Sequence, residues 1–189
     1  MKNLRIVFLF SAIVFFGTAF IFEKVILQQR HDFQKISVNA GRQLNLLERK
    51  SEECLNSIAA RLPLNDSLIS TQIGTSAINS YVSGLFVFIY KGDSLLWWSD
   101  NSVLPKENIK AGFHFFQNGW YEFFVQEKNN YKIAGLLKIK SQYPFQNRFL
   151  LNDFHPELNI CSTAEISEKE TTGSFAVTGQ KKAPLFYLH

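Results

Sequence analysis

The chain is poor in cysteine. Only two of its 189 residues are cysteine, Cys54 and Cys161, and neither stands at a metal-ligand spacing. In an oxidising compartment the two could form a disulfide, but the sequence does not say whether they come within reach. The acidic run 165–170 lacks the alternating oxygen ligands and the glycine of a calcium loop, so it predicts a solvated turn. No metal site is predicted.

Motifs for catalysis and nucleotide binding are also absent. None of the four histidines has the surroundings of a phospho-acceptor, and no glycine-rich ATP-lid motif is present. The sequence contains no H-x-x-x-H, no Ser-His-Asp order that stands out, and no G-x-G-x-x-G after a strand. His114, in F-H-F-F, is predicted as a strand residue rather than a ligand. The sequence therefore predicts no catalytic residue and no cofactor in these 189 residues.

A concentrated basic patch is missing as well. The net charge is +4, but the lysines and arginines are scattered along the chain. This pattern favours a solvated face over nucleic-acid binding. Low-complexity tracts and internal repeats are also absent, and the length leaves room for one domain of ordinary size.

What is present starts with an apolar stretch at residues 6–22, which contains no charged side chain. With Leu4 it approaches the roughly 20 apolar residues that a bilayer core requires. We predict a transmembrane helix over 6–22 behind a cytoplasmic tail of residues 1–5. A cleaved signal peptide is the alternative, because the N-terminus is basic and Gly17-Thr18-Ala19 resembles a cleavage site. The apolar run continues past Ala19, which favours a retained anchor.

Basic residues flank both ends of this stretch, so counting them does not decide its orientation. Long domains translocate largely regardless of charge. We therefore expect a single-pass protein of the inner membrane with the residues after about 23 in the periplasm.

A long extracytoplasmic helix is predicted over residues 23–62, ending before Pro63. It has an apolar stripe with steps of three and four residues. Such a stripe predicts either a seam between two copies, and hence a homodimer, or packing against the chain's own sheet. Its members are Phe33, Ile36, Ala40, Leu44, Leu47, Ser51, Cys54, Ile58 and Leu62. A connecting loop is predicted over 63–83.

Strand patterns follow the helix. Residues 85–90 and 94–99 predict a hairpin, and after an excursion three more strands are predicted at 113–116, 120–128 and 131–140. We expect an α+β fold in which the long helix packs on a roughly five-stranded antiparallel sheet, a layout typical of PAS-like or Cache-like sensor domains.

Finer expectations accompany these strands. Asn118-Gly119 predicts a tight turn, because both positions tolerate positive φ. One face of the last strand carries Lys132, Lys138 and Lys140 and is expected to be partly wet. Further along, a short helix is predicted at 145–151 and two strands at 175–178 and 185–188.

Several segments together resemble a known family. They read G-L-F-V-F-I-Y from residue 84, D-S-L-L-W-W-S-D-N-S from 93, N-G-W-Y from 118, G-L-L-K-I-K from 135 and Y-P-F-Q-N-R-F-L-L-N-D-F from 143. In order and spacing they resemble the extracytoplasmic sensor region of HAMP-containing, membrane-bound sensor histidine kinases of the Bacteroides group.

The resemblance implies a periplasmic sensor domain at 84–156, C-terminal strands at 157–189, and then a second membrane helix, a HAMP linker and a kinase core. That core would use ATP and Mg to phosphorylate its own histidine and would act on a response regulator. The sequence given stops at His189, before those parts.

A binding pocket for a small-molecule or other periplasmic signal is the remaining functional hypothesis. Flat aromatic side chains with polar groups near them are typical of ligand pockets. The alternative is that these aromatics form the core, since Trp97 and Trp98 must point to opposite faces of a strand. The candidate residues are Trp97, Trp98, Asp100, Asn101, Trp120, Tyr121, Tyr143 and Asn147.

We expect the chain to be the signal-sensing part of a two-component histidine kinase, which relays a periplasmic signal across the membrane. A stand-alone membrane-anchored binding or interaction protein is the alternative. A pilin-like subunit is disfavoured, because the apolar run precedes Gly17 instead of following it.

Overall fold

The computed structural model describes residues 2–62, 69, 73, 82–105 and 110–189. Within the long helix, the side chains of residues 2–14, 19, 22 and 25–31 lie outside this description. Most of the predicted connecting loop at 63–83 lies outside it too.

One helix, α1 (Lys2–Arg61), runs through 60 residues. It ends two residues before Pro63, which cannot continue a helix because its ring blocks the preceding turn. The predicted stripe is buried from Ala40 to Ile58 in the same core cluster as the strands, so here it packs against the chain's own sheet. Among the described residues, no helical stretch is long and apolar enough to cross a membrane.

The five predicted strands form one antiparallel sheet, which confirms the α+β class. The strands are ordered β2-β1-β5-β4-β3, so β2 and β3 are the edges. Their bounds are β1 (Leu85–Lys91), β2 (Ser94–Trp98), β3 (Gly112–Phe116), β4 (Gly119–Lys128) and β5 (Tyr131–Ser141).

Two tight turns join β3, β4 and β5. Between β4 and β5, Asn129 and Asn130 both have positive φ, as a type I′ turn requires. Between β3 and β4, Phe116 pairs with Gly119, so the turn residues are Gln117 and Asn118. The predicted turn pair Asn118-Gly119 was therefore one residue out of place.

A second sheet, ordered β6-β8-β7, packs along α1. It comprises β6 (Ile166–Ser167), β7 (Phe175–Thr178) and β8 (Pro184–Leu188); the last two were predicted, and β6 replaces part of the predicted acidic turn. The rings of Phe33 and Phe175 stack at 6.2 Å, and Asn45 Nδ2 donates to Thr178 O at 3.1 Å. These contacts tie the C-terminal strands to the helix.

The short helix predicted at 145–151 is not formed. Asn147 Oδ1 accepts hydrogen bonds from the backbone N–H groups of Phe149 and Leu150, and this side-chain capping stabilises a turn in competition with a helix. The helical turn that does form is a 3₁₀ helix at Pro156–Leu158.

Buried apolar residues form two clusters, one on each face of the five-stranded sheet. The larger one fills the space between this sheet, α1 and the second sheet. The smaller one consists of Phe88, Val103, Phe116, Tyr121, Phe123, Ala134 and Leu136. Val103, from the excursion between β2 and β3, covers part of this face. Lys132 and Lys138 on it are half-buried, so the face is partly wet as predicted, whereas Lys140 is buried.

The two cysteines do not form a disulfide. Cys54 is buried in the core and Cys161 is exposed, and both are free.

Candidate functional site

The two tryptophans of β2 lie on opposite faces of the sheet, as the alternation requires. Trp97 is buried in the larger cluster, whereas Trp98 is 48% exposed at the sheet edge. Trp97 is therefore a core residue, and Trp98 lies on the surface.

Trp120 and Tyr121 on β4 likewise lie on opposite faces of the sheet. The Trp120 ring stacks on Phe113 at 5.0 Å, and its Nε1 donates to Gln142 Oε1 at 2.8 Å. Trp97 and Trp120 share a face but are separated by β1 and β5, so three strand spacings, or about 14 Å, lie between their strands. The predicted aromatics do not form one wall.

On the other face, the structure brings three of the predicted residues together. The Tyr121 hydroxyl donates to Asn118 Oδ1 at 3.0 Å, and Tyr143 and Asp100 are close enough to act on it electrostatically. Burial, followed by the charges of Tyr143 and Asp100, holds the pKa of Tyr121 well above its ordinary value. Tyr121 therefore acts as a neutral hydrogen-bond donor to Asn118 in the β3–β4 turn. Asn118 Nδ2 in turn donates to Ser102 O at 3.0 Å and so holds the loop after β2.

The other predicted polar residues are less central. Asn101 is exposed, and Asn147 is also exposed and organises the turn described above. Neither side chain contributes to an enclosed site.

A polar cleft of about 690 Å³ opens where β5 ends, within the size range of small-molecule sites. Its lining offers an amine, amides, hydroxyls and carboxylates, which suits a small polar ligand. The main lining side chains are those of Lys140, Gln142, Gln146, Asn152, Asp153, Ser162, Thr163 and Glu165.

Two predicted site residues stand directly behind this lining. Trp120 holds Gln142 through the bond from its Nε1. The backbone N–H of Tyr143 donates to Asn152 Oδ1 at 2.8 Å. The predicted residues thus orient amide side chains of the cleft instead of forming its surface.

Lys140 is the charged group at the floor of the cleft. It is 7% exposed, its Nζ donates to Ala164 O at 2.6 Å, and it lies 4.5 Å from the centroid of the Phe154 ring. Burial lowers the pKa of Lys140, while the nearby Glu165, Cys161 and Asp153 act in the opposite direction. An ammonium group has three N–H donors, so the bond to Ala164 leaves donors for a ligand.

The sequence alternation assigned Lys140 to the wrong environment. It was predicted on a partly wet face with Lys132 and Lys138, but a bulge at Ile139 turns it toward the second sheet. Trp120 pairs with Lys140 and Tyr121 with Lys138, so Ile139 has no partner on β4. A bulge of this kind redirects side chains, and no local signal in the alternation announces it.

Metal binding has no structural support in the described part of the chain, where no group of three or more His, Cys, Asp or Glu residues could hold an ion. No family model, curated protein or solved structure matches the chain.

Proposed function

We propose that this chain is the extracytoplasmic signal-sensing part of a two-component sensor histidine kinase, with a PAS-like or Cache-like domain carried on a membrane helix at residues 6–22. In this proposal the cleft at Lys140 receives a small polar signal molecule, and α1 relays the binding event across the inner membrane. The proposal rests on the resemblance of residues 84–154 and on the geometry of α1.

The observation that carries the proposal is the change of environment along one unbroken helix. Phe15 and Phe16 are 70% and 72% exposed, and Phe20 and Ile21 are also mostly exposed. From Ala40 onward one face of the same helix is buried under the sheets. Large apolar side chains without partners in the domain suit a lipid environment, and the continuous helix would join that environment to the sensor core.

The direction of the strands in the second sheet also supports the proposal, because it brings the end of the sheet back to the N-terminal half of α1. β7 runs parallel to α1, because Phe175 stacks on Phe33 and Thr178 bonds to Asn45. β8 is antiparallel to β7, so it runs back toward the N-terminal half of α1. A second membrane helix after residue 189, as the resemblance implies, would therefore start on the side where the first one ends.

The cleft also lies on the side of the domain that faces the N-terminal half of α1. Glu122 of β4 is next to Glu48 of α1, and Gln126 donates to Asn56 at 2.8 Å, so β4 and α1 run in the same direction. The start of β4 and the end of β5, where the cleft opens, therefore face the N-terminal half of α1. A ligand would transmit a signal if it bound two arrangements of α1 with different affinity.

The proposed partners are a second copy of the chain and, for the kinase core implied by the resemblance, a response regulator with ATP and Mg. Because the buried stripe of α1 faces the chain's own sheets, a dimer contact in this part of α1 would use its outer face. Val38 and Leu46 are exposed apolar residues on that face.

The free cysteines allow a direct test of the topology. A membrane-impermeant maleimide should label the exposed Cys161 in intact spheroplasts of cells producing the full chain, and should spare the buried Cys54 until the protein is denatured. The Cys161→Ser variant is the matched control and should remain unlabelled. Labelling of Cys161 that begins only after the inner membrane is permeabilised would contradict the periplasmic placement.

A further inference from the structure

Two carboxyl groups are buried against each other between α1 and β4. Glu48 and Glu122 are both 4% exposed, and their side chains form a hydrogen-bonding pair. The turn between β7 and β8 closes the third side, where the backbone N–H of Gln180 donates to Glu48 Oε2 at 2.5 Å. Gly179 lies so close to the Glu48 carboxylate that a Cβ at this position would have no room.

A hydrogen bond between two carboxyl groups exists only if one of them carries a proton, because an ionised carboxylate only accepts. The surroundings offer little to stabilise a second negative charge. Glu122 Oε2 has no hydrogen-bond partner among the described residues, and neither do Ser51 Oγ on α1 and Gln126 Oε1 on β4. Burying an anion without donors is costly.

The charged groups around the pair favour the protonated form as well. Those that act on Glu122 are Glu48 and Glu52 of α1 and Lys181 of the β7–β8 turn. The neighbouring strands place only Phe113 and Leu137 opposite Glu122. One exposed lysine thus stands against three carboxyl groups.

The pKa of Glu122 is accordingly raised to about 9, first by burial and then by the charge of Glu48. Burial also raises the pKa of Glu48, although the Gln180 N–H works against this shift. At neutral pH the pair is therefore expected to share one proton. The N–H that Gln180 donates to Glu48 favours Glu48 as the acceptor and Glu122 as the acid.

We infer that Glu48 and Glu122 form a proton-binding site, and that release of the shared proton to solvent weakens the contact between α1 and β4. The two carboxylates would then repel each other inside the buried contact between α1 and β4, where both side chains are 4% exposed. This inference stands on packing within the chain. That the loosening of α1 would carry a pH signal across the membrane rests on the proposed function.

The sign of the linkage follows from the raised pKa. Between 4.5, the ordinary value of a glutamate, and about 9, the folded chain binds one more proton than the unfolded chain. The stabilisation is complete below the lower value and is lost as pH rises through the upper one. Each pH unit in this window should raise the unfolding equilibrium constant about tenfold through this site.

The test compares urea unfolding of the full chain in detergent micelles across this pH window. Glu122→Gln keeps the size and the hydrogen-bonding capacity of the side chain without the titration, so it should abolish this tenfold-per-unit contribution. Glu127→Gln, an exposed position on the same strand, should keep it. Equal pH slopes for the unsubstituted chain and Glu122→Gln would overturn the inference.

Two further readouts keep the result clear. Infrared difference spectra should show a protonated carboxylic acid at neutral pH that disappears in Glu122→Gln, and Glu48→Gln provides a second variant if Glu122→Gln does not fold. Stability at alkaline pH that depends on an added divalent cation and is lost with a chelator would mean that a metal, not a proton, occupies the pair. Because these measurements do not involve signalling, they can fail or succeed independently of the proposed sensor role.

Discussion

Lys140 pairs with Trp120 across the sheet, although an unbroken ladder would place Ile139 opposite Trp120. The extra residue turns Lys140 away from Lys138 and toward Ala164 O, to which its Nζ donates at 2.6 Å. One inserted residue thus converts a surface lysine into the floor of the candidate cleft.

Gly119 is required at this bulge. Its φ is +151°, and a Cβ here would collide with Lys140 O. We expect Gly119→Ala to destabilise the chain by about 3 kcal/mol, because both strain and a backbone clash result. Gly92→Ala is the matched control, since Gly92 also has positive φ but open space around it, and should cost about 1 kcal/mol. Urea unfolding that shows equal costs would contradict the collision.

The free energy of unfolding should also depend on pH through the titration of Lys140. Because its pKa is lowered, the folded chain loses this proton before the unfolded chain does. Stability therefore rises with pH from the lowered pKa up to the ordinary 10.5. Lys140→Met should lose this rise and should stay within about 1 kcal/mol of the unsubstituted chain at neutral pH, because relief from burying a charge offsets the lost hydrogen bond. Lys132→Met, on the same strand, should keep the rise. A neutral-pH loss of several kcal/mol in Lys140→Met would show that the ammonium is a net stabiliser.

The positive charge of Lys181 should stabilise the chain when the carboxyl pair is ionised. It lowers the pKa values of Glu48 and Glu122, so Lys181→Gln should leave the stability at about pH 5 unchanged and reduce it at about pH 10. The reduction should be below about 1 kcal/mol, because Lys181 is exposed and its charge is screened. Lys182→Gln, at the adjacent exposed position, should show no such trend. An equal effect of both substitutions across the pH range would argue against a specific role for Lys181.

The outer face of α1 should carry the proposed dimer contact. With Cys161 replaced by serine, Val38→Cys should form a disulfide-linked dimer under mild oxidation in membranes, because Val38 is 51% exposed and apolar. Gln43→Cys, also exposed but about 140° around the helix, is the control and should cross-link much less. Similar yields at both positions would indicate random collision instead of a defined interface.

Sequence patterns were sufficient for the elements whose periodicity is uninterrupted. The stripe from Ala40 to Ile58 predicted the buried face of α1, and the alternation along β5 predicted its core face. Both depend on a constant repeat of side chains, which the amino-acid order displays directly.

The candidate site was harder to predict, because it arises where repeats break or where distant segments meet. The bulge at Ile139 reverses the face of Lys140, and Asn147 replaces a predicted helix by a turn through bonds to Phe149 and Leu150. Glu48 and Glu122 are 74 positions apart in the numbering, and each taken alone reads as a surface glutamate. Only the packing of α1 on β4 shows that they share one buried space.

The central proposal is that this chain senses a signal for a larger membrane kinase. The most direct measurement is the apparent mass, in native membranes, of the protein detected by an antibody against residues 84–156. The account predicts a membrane-bound band several-fold above 21.7 kDa, which leaves room for a kinase core. A band at 21.7 kDa would contradict it and would favour a stand-alone anchored binding protein.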